Sequence, residues 1–449
     1  MMDTPVCDFV RRYMDAGAVR MHMPGHKGVP GLGPEAGDIT EIEGADELYA
    51  ARGIIRESEK NAAALFGAAR TVYSAEGSSL CIRAMLYLAR LRAAERGLPF
   101  RVLAGRNAHK ALISAAALLD LEVDWIPSAE GLLSGAAEAE AVARALDRST
   151  YMAVYLTTPD YLGGMADVRG IAEACRAREV PLLVDNAHGA YLKFLEPDLH
   201  PMALGADLCC DSAHKTLPCL TGAAYLHLSE NAPEAWREQA EQAMELFAST
   251  SPSWLVLQSL DRANALLSGD YPERLRRAAE RTQELKRELA GRGWRLIGTE
   301  PMKLAVAAGS IGYTGTELRT LLRAEGIVCE FADPDFLVLM PSPENTEEDW
   351  RRLEKALRGV PQRPPVPSSA PPVPRGERVM SIREALLAPR LSVPVSEAEG
   401  QVLADAYMGC PPAVPVLTAG ERVTRDAILC FEYYGVTTCM VVRNGEEKP

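Results

Sequence analysis

Ser212, His214 and Lys215 stand in the run Cys209-Cys210-Asp211-Ser212-Ala213-His214-Lys215-Thr216-Leu217, where a lysine follows closely on an apolar stretch. An amine in that setting can form a Schiff base with an aldehyde, once burial and neighbouring cations have lowered its pKa enough to make it nucleophilic. Upstream, the apolar run Pro181-Leu182-Leu183-Val184 ends in Asp185. A carboxylate at a strand end can keep a pyridine nitrogen protonated, and a lysine with such a partner is the minimal equipment for pyridoxal phosphate chemistry, in which the ring is an electron sink. A lysine beside a histidine is also a common solvated surface group, so the weight rests on the two residues together.

A cofactor phosphate needs a cradle. Tyr73-Ser74-Ala75-Glu76-Gly77-Ser78-Ser79 precedes an apolar helical pattern, so backbone N–H groups and the hydroxyls of Ser78 and Ser79 converge at a positive helix end. An ordinary serine N-cap reads the same way. Gly105-Arg106-Asn107-Ala108-His109-Lys110 follows another apolar run, and His109 is either a ring stacker or a solvated loop residue. Ser78, His109, Asp185 and Lys215 come in the order phosphate loop, stacker, pyridine partner, Schiff-base lysine.

The elements that must hold these groups alternate. Apolar runs predict strands over Arg101 to Ala104, Glu122 to Ile126, Tyr151 to Leu156, Pro181 to Asp185, Asp207 to Asp211 and Gly222 to Leu228. Ile82, Met85, Leu86 and Ala89 predict a helix from Ser79 to Arg96, and Val168, Ile171, Ala172 and Cys175 predict another to Ala177. Strands alternating with helices read as an α/β, doubly wound, mostly parallel sheet whose ligands bind at the carboxyl ends of the strands.

Beyond it, an amphipathic helix over Pro272 to Ala290 leads into a second pattern. Strands over Lys303 to Ala307 and Phe336 to Met340 alternate with a helix near Thr316 to Glu325 and another opened by Thr346 with Asp349 three residues on, a small α+β domain. Val360 to Gly376 holds prolines 361, 364, 365, 367, 371, 372 and 374, which reads as an extended linker. The expected division is a large domain over 1–270, a small α+β domain over 271–360, the linker over 361–376, and a C-terminal α+β domain over 377–449 that ends in the apolar Thr437 to Val442.

The 449 residues are 47% hydrophobic, with no run of eighteen apolar residues and no basic-then-apolar leader, which points to a soluble cytoplasmic protein. A formal charge of −13 disfavours nucleic acid as a partner and suits a cationic substrate. Ten cysteines without a C-x-x-C pair argue for buried thiols and against a metal site.

Five segments give the chain a resemblance to the fold type I PLP-dependent decarboxylases of ornithine, lysine and arginine: Met21-His22-Met23-Pro24-Gly25-His26-Lys27-Gly28, Arg106-Asn107-Ala108-His109-Lys110, Asp185-Asn186-Ala187-His188-Gly189, Ser212-Ala213-His214-Lys215 and Ser249-Thr250-Ser251-Pro252-Ser253. Cys410-Pro411-Pro412-Ala413-Val414-Pro415, followed by Ala419-Gly420-Glu421, is similar to that family's C-terminal proline signature. The resemblance implies an aspartate aminotransferase-like large domain with PLP on Lys215, Asp185 at the pyridine nitrogen and His109 on the ring. It further implies Ser78, Ser79, Ala187, Ser212 and His214 around the cofactor, and Thr250 or Ser251 reaching the phosphate from the other subunit of a homodimer.

The implied reaction is decarboxylation of a basic amino acid, feeding polyamine synthesis, with Lys215 or His188 returning the proton. Glu330, Asp333 and Glu421 are candidates for the distal cation of the substrate, and each also reads as an ordinary surface acid. The chain departs from the family pattern at Glu76, Asp160 and Asn186, and in Cys410 and Ala413 of the proline signature. Glu76 would repel a phosphate unless its side chain faces elsewhere. These departures keep open another PLP reaction on the same fold, such as transamination or aldol cleavage, or a non-catalytic regulatory homologue.

Overall fold

The computed structural model of the protein describes residues 2–126, 137–372, 374, 376–406, 408–410 and 414–443. The chain divides into two compact units, one of residues 1–99, 152–155 and 168–275, the other of 100–151, 156–167 and 276–449. The elements that carry the site are, in chain order, β1 (Arg70–Ser74), α1 (Ser78–Glu95), β2 (Arg101–Gly105), α2 (Lys110–Leu119), β3 (Leu182–Asp185), β4 (Leu208–Asp211) and β5 (Ala224–Leu228).

In the first unit β3 and β4 run parallel, with Leu183 opposite Leu208. β5 is antiparallel to β4 on one side and to β1 on the other, Leu228 facing both Leu208 and Arg70. Every residue of β3, β4 and β5 is buried, so these mostly apolar strands show no alternation of inward and outward positions. α1 is buried along most of its length through Leu80, Cys81, Ile82, Met85, Leu86 and Leu88, and Gly97, at φ 62°, turns the chain after its last residues. Burying each such leucine contributes about 1.5–3 kcal/mol. The helix Val168–Arg176 buries Val168, Ile171, Ala172 and Cys175, the four positions its spacing marks. The polar groups at the ends of β3 and β4 are thus set by fully buried strands.

In the second unit β2 pairs in parallel with Glu122–Ile126, Arg101 opposite Glu122. A four-stranded antiparallel sheet has the order Phe331–Ala332, Phe336–Leu339, Leu304–Ala307, Arg295–Ile297. Leu304, Val306 and Leu337 pack with Leu318, Leu322, Trp350 and Leu357 of the helices Gly315–Ala324 and Glu347–Gly359. Both helices open on capping boxes, Thr314 with Glu317 and Thr346 with Asp349, which satisfy the first backbone donors.

The proline-rich stretch after Val360 is extended and largely exposed, and is pinned early: Arg363 N donates to Ile311 O at 3.2 Å and Val366 N to Gly309 O at 2.8 Å. The last segment pairs Arg390–Pro394 antiparallel with Thr438–Val442 and packs the helix Arg425–Tyr433 over them through Ile428 and Phe431. Of the proline signature, residues 411–413 lie outside the described residues. Among the described residues no helix is long and apolar enough to cross a membrane.

Candidate active site

The groups singled out at the strand ends of the first unit meet. β4 ends at Asp211, Ser212 follows, and the single turn Ala213–Thr216 presents Lys215, whose Nζ lies 3.2 Å from Nε2 of His188 in the loop after β3. Lys215 is exposed and His188 is buried. The burial that Schiff-base chemistry asks of the lysine is therefore not supplied by its immediate protein surroundings.

Asp185, the last residue of β3, is 1% exposed. Its Oδ2 accepts the Tyr155 hydroxyl at 3.1 Å, and its Oδ1 accepts the Ala187 N–H at 3.2 Å and the Cys210 thiol at 3.8 Å. No cation pairs with it among the described residues. A buried carboxylate with neutral donors alone is costly, and a cationic group brought to it is correspondingly welcome.

Beside it lies an anion cradle. The β1–α1 loop turns through Gly77 at φ 75°, and α1 begins at Ser78, so the free N–H groups of an eighteen-residue helix open there. Ser212 Oγ donates to Ser78 Oγ at 2.6 Å, and Ser79 is half-buried next to it. Gly77 N donates to Gly222 O at 2.7 Å, which ties the loop to the segment leading into β5. His214 Nδ1 lies 2.9 Å from Ala223 O, and burial holds its pKa below the usual value.

Glu76 is exposed, and its Oε1 accepts the Ser249 N–H at 2.7 Å. That contact brings the segment carrying the exposed Thr250 and Ser251 alongside the loop. A buried anion without a counter-ion, a helix N-terminus lined by hydroxyls and an amine beside an imidazole are what a phosphorylated pyridine aldehyde requires. The residues present fit that group.

Residues 4–303 match the family model described as Orn/Lys/Arg decarboxylase, major domain. The chain belongs to this decarboxylase family. An arginine decarboxylase of Halalkalibacterium halodurans is 30% identical over 94% of this chain and 91% of its own length, and one of Bacillus subtilis 28% over 95% and 92%. Among solved structures, the lysine decarboxylase of Francisella novicida superposes with a TM-score of 0.78 at 15% identity, covering 98% of this chain and 81% of that one. At that identity the match speaks for the fold, an α/β fold of the PLP fold type I class with a large, mostly parallel sheet.

The remaining candidates of this decarboxylase-family chain lie in the second unit. His109 is the N-cap of α2, its Nδ1 accepting from Ala111 N at 3.2 Å. Glu330 accepts the Tyr161 hydroxyl at 2.8 Å. Asp333 is buried, and its Oδ1 accepts from Asp335 N at 2.8 Å and Phe336 N at 2.6 Å, while Oδ2 has no hydrogen-bond partner among the described residues. Burial pushes its carboxyl up to about 6.

Glu421 is engaged differently. Its two oxygens take the Arg106 guanidinium at 3.0 and 2.9 Å, the guanidinium also stacks over Trp125 at 4.9 Å, and Thr418 N donates to Oε2 at 2.7 Å. This pair ties the C-terminal segment to the loop that carries His109. Glu421→Gln should lower stability by about 1–3 kcal/mol, because a partly buried guanidinium keeps only a neutral acceptor. A urea-unfolding midpoint equal to wild type would show that the pair adds nothing net.

Asp160, another departure from the family pattern, closes its own turn: Oδ1 accepts from Leu162 N at 2.9 Å and Gly164 N at 2.7 Å. Tyr155 and Cys210, which donate to Asp185, escape a reading of the sequence because each sits inside an apolar strand run.

Proposed function

We propose that this chain decarboxylates a basic amino acid with pyridoxal phosphate bound at Lys215, and that arginine is the substrate to test first. The observation that carries the reading is Asp185, a buried carboxylate with hydrogen-bond donors but no cation. When bound, the cofactor supplies an electron sink for the charge left as the α-carboxylate departs as carbon dioxide.

The chain's own residues do the rest. Asp185 would hold the pyridine nitrogen, and Ser78, Ser79, Ser212 and His214, with the first N–H groups of α1, would hold the phosphate, with His109 as the ring stacker that the resemblance implies. Ala187 sits where its N–H fixes the Asp185 carboxylate. The 3.2 Å between Lys215 Nζ and His188 Nε2 supports a role for the two in holding a proton and returning it to the substrate carbon. Of the three acids, Asp333 keeps a spare oxygen for a distal guanidinium or ammonium, whereas Glu421 is occupied by Arg106 and Glu330 by Tyr161.

The exposure of Lys215 supports a homodimer in which a second subunit covers the site and contributes Thr250 or Ser251 to the phosphate. A cytoplasmic role supplying amines for polyamine synthesis completes the reading.

Arginine, lysine and ornithine should each be offered to the purified, cofactor-loaded protein, with released carbon dioxide and the amine product measured together. The expected result is stoichiometric carbon dioxide and amine, fastest from arginine. Formation of a keto acid without carbon dioxide would overturn the reading.

A further inference from the structure

Asp211 is wholly buried at the end of β4, directly before Ser212. Its Oδ1 accepts from Asn186 Nδ2 at 2.6 Å, and its Oδ2 lies 3.0 Å from His200 Nε2 and 3.2 Å from His227 Nε2. Both imidazoles are oriented from behind. Met202 N donates to His200 Nδ1 at 3.3 Å, which leaves Nε2 as the nitrogen that carries the proton toward Asp211. The Thr71 hydroxyl lies 2.8 Å from His227 Nδ1 and sets that ring in the same way.

Burial pushes the Asp211 carboxyl up, but the two histidines outweigh it and hold the group well below the usual carboxylate range. Burial lowers the pKa of His227, against the pull of Asp211. Asp211 is therefore an anion gripped by N–H donors from three other segments. One donor, Asn186, adjoins Asp185, and Asp211 itself stands at the root of the turn bearing Lys215. A backbone bond from Asn186 N to Cys210 O at 2.9 Å runs beside the side-chain pair.

We propose that Asp211 is a positioning residue, a buried clamp that fixes the loop of Asp185 and His188 to the turn of Ser212 and Lys215, with Asn186 as the jaw on the β3 side. The inference rests on the reading of Lys215 and Asp185 as cofactor residues. It gives a reason for Asn186: a carboxylate there would oppose Asp211 at hydrogen-bond distance, whereas an amide donates to it. His200, Cys209 and Asp211 offer ligand atoms within 4.8 Å of one another, but the hydrogen bonds already use the histidine nitrogen and both carboxylate oxygens.

The test compares Asp211→Asn, Asn186→Ala and the exchange Asn186→Asp with Asp211→Asn, all as cofactor-loaded protein. In the exchange, the new amide at 211 can keep its oxygen on the two histidines and donate to the new carboxylate at 186. Each single variant should lose at least about tenfold in kcat, the scale of small misplacements in a site, with KM within about threefold of wild type. The visible circular dichroism of the bound cofactor should change with it, and the exchange should recover both.

Should Asp211→Asn fail to fold, Asn186→Ala decides, since it leaves the histidine pair on Asp211 intact. Folded single variants with wild-type kcat and cofactor dichroism would overturn the proposal. So would an exchange no better than Asp211→Asn, or one equivalent of zinc in the purified protein. If the wild type acts on no basic amino acid, the substrate reading falls, and the dichroism of the variants still decides the clamp.

Discussion

Lys215→Ala should leave a folded protein that turns over at least about 10⁴-fold more slowly, the scale of deleting the nucleophile of a covalent mechanism. Lys215 is exposed on a single helical turn, so its loss removes no core packing and the thermal midpoint of the cofactor-free chain should hold. Borohydride reduction of the wild-type holoenzyme, followed by proteolysis and mass spectrometry, should find the cofactor fixed to the peptide containing Lys215. The same treatment of the variant should find it nowhere. A variant with normal turnover would remove Lys215 from the mechanism altogether.

The second large effect belongs to Asp185, and here function and stability should part. Asp185→Asn takes away the charge proposed to hold the ring nitrogen and should lower kcat by at least about a hundredfold, the scale of one well-placed electrostatic group. In the cofactor-free chain the same change removes a buried charge that has no cation, while keeping an acceptor for Tyr155 or Ala187. The cofactor-free variant should therefore melt no lower than the wild type. A kcat at the wild-type level would make Asp185 structural. A steep fall in the melting point of the cofactor-free variant would mean that the carboxylate is satisfied without a ligand.

What the sequence reveals of this site follows from how the groups are held. Lys215, Asp185 and Ser78 are legible because each is polar and ends or begins an apolar run, a local contrast. β1 is not: its run Arg70–Ser74 is short and mixed, and it becomes a strand by pairing with β5, far along the chain. The helix Trp254–Leu267 is hidden for another reason. It buries Trp254, Val256, Leu257, Leu260, Asp261, Ala263 and Asn264 around much of its circumference, so no apolar stripe marks it.

Glu421 shows the limit most plainly. As a residue it is an available acid. Its partner Arg106 is 315 positions away, and only the fold brings the two together. The Asn186–Asp211 pair is of the same kind, since nothing local to either residue names the other.

Gly222 has no side chain for a specific reason: at φ 100°, a Cβ there would come within 2.8 Å of the Ala75 carbonyl oxygen. Its own carbonyl meanwhile receives Gly77 N. The stretch from Lys215 to Gly222 is thus a measured tether between Lys215 and the loop before α1, anchored at both ends and set in length. Inserting or deleting a residue there would slide one anchor against the other. For anyone recombining or grafting segments of this chain, the span from β4 to β5 is one indivisible cassette.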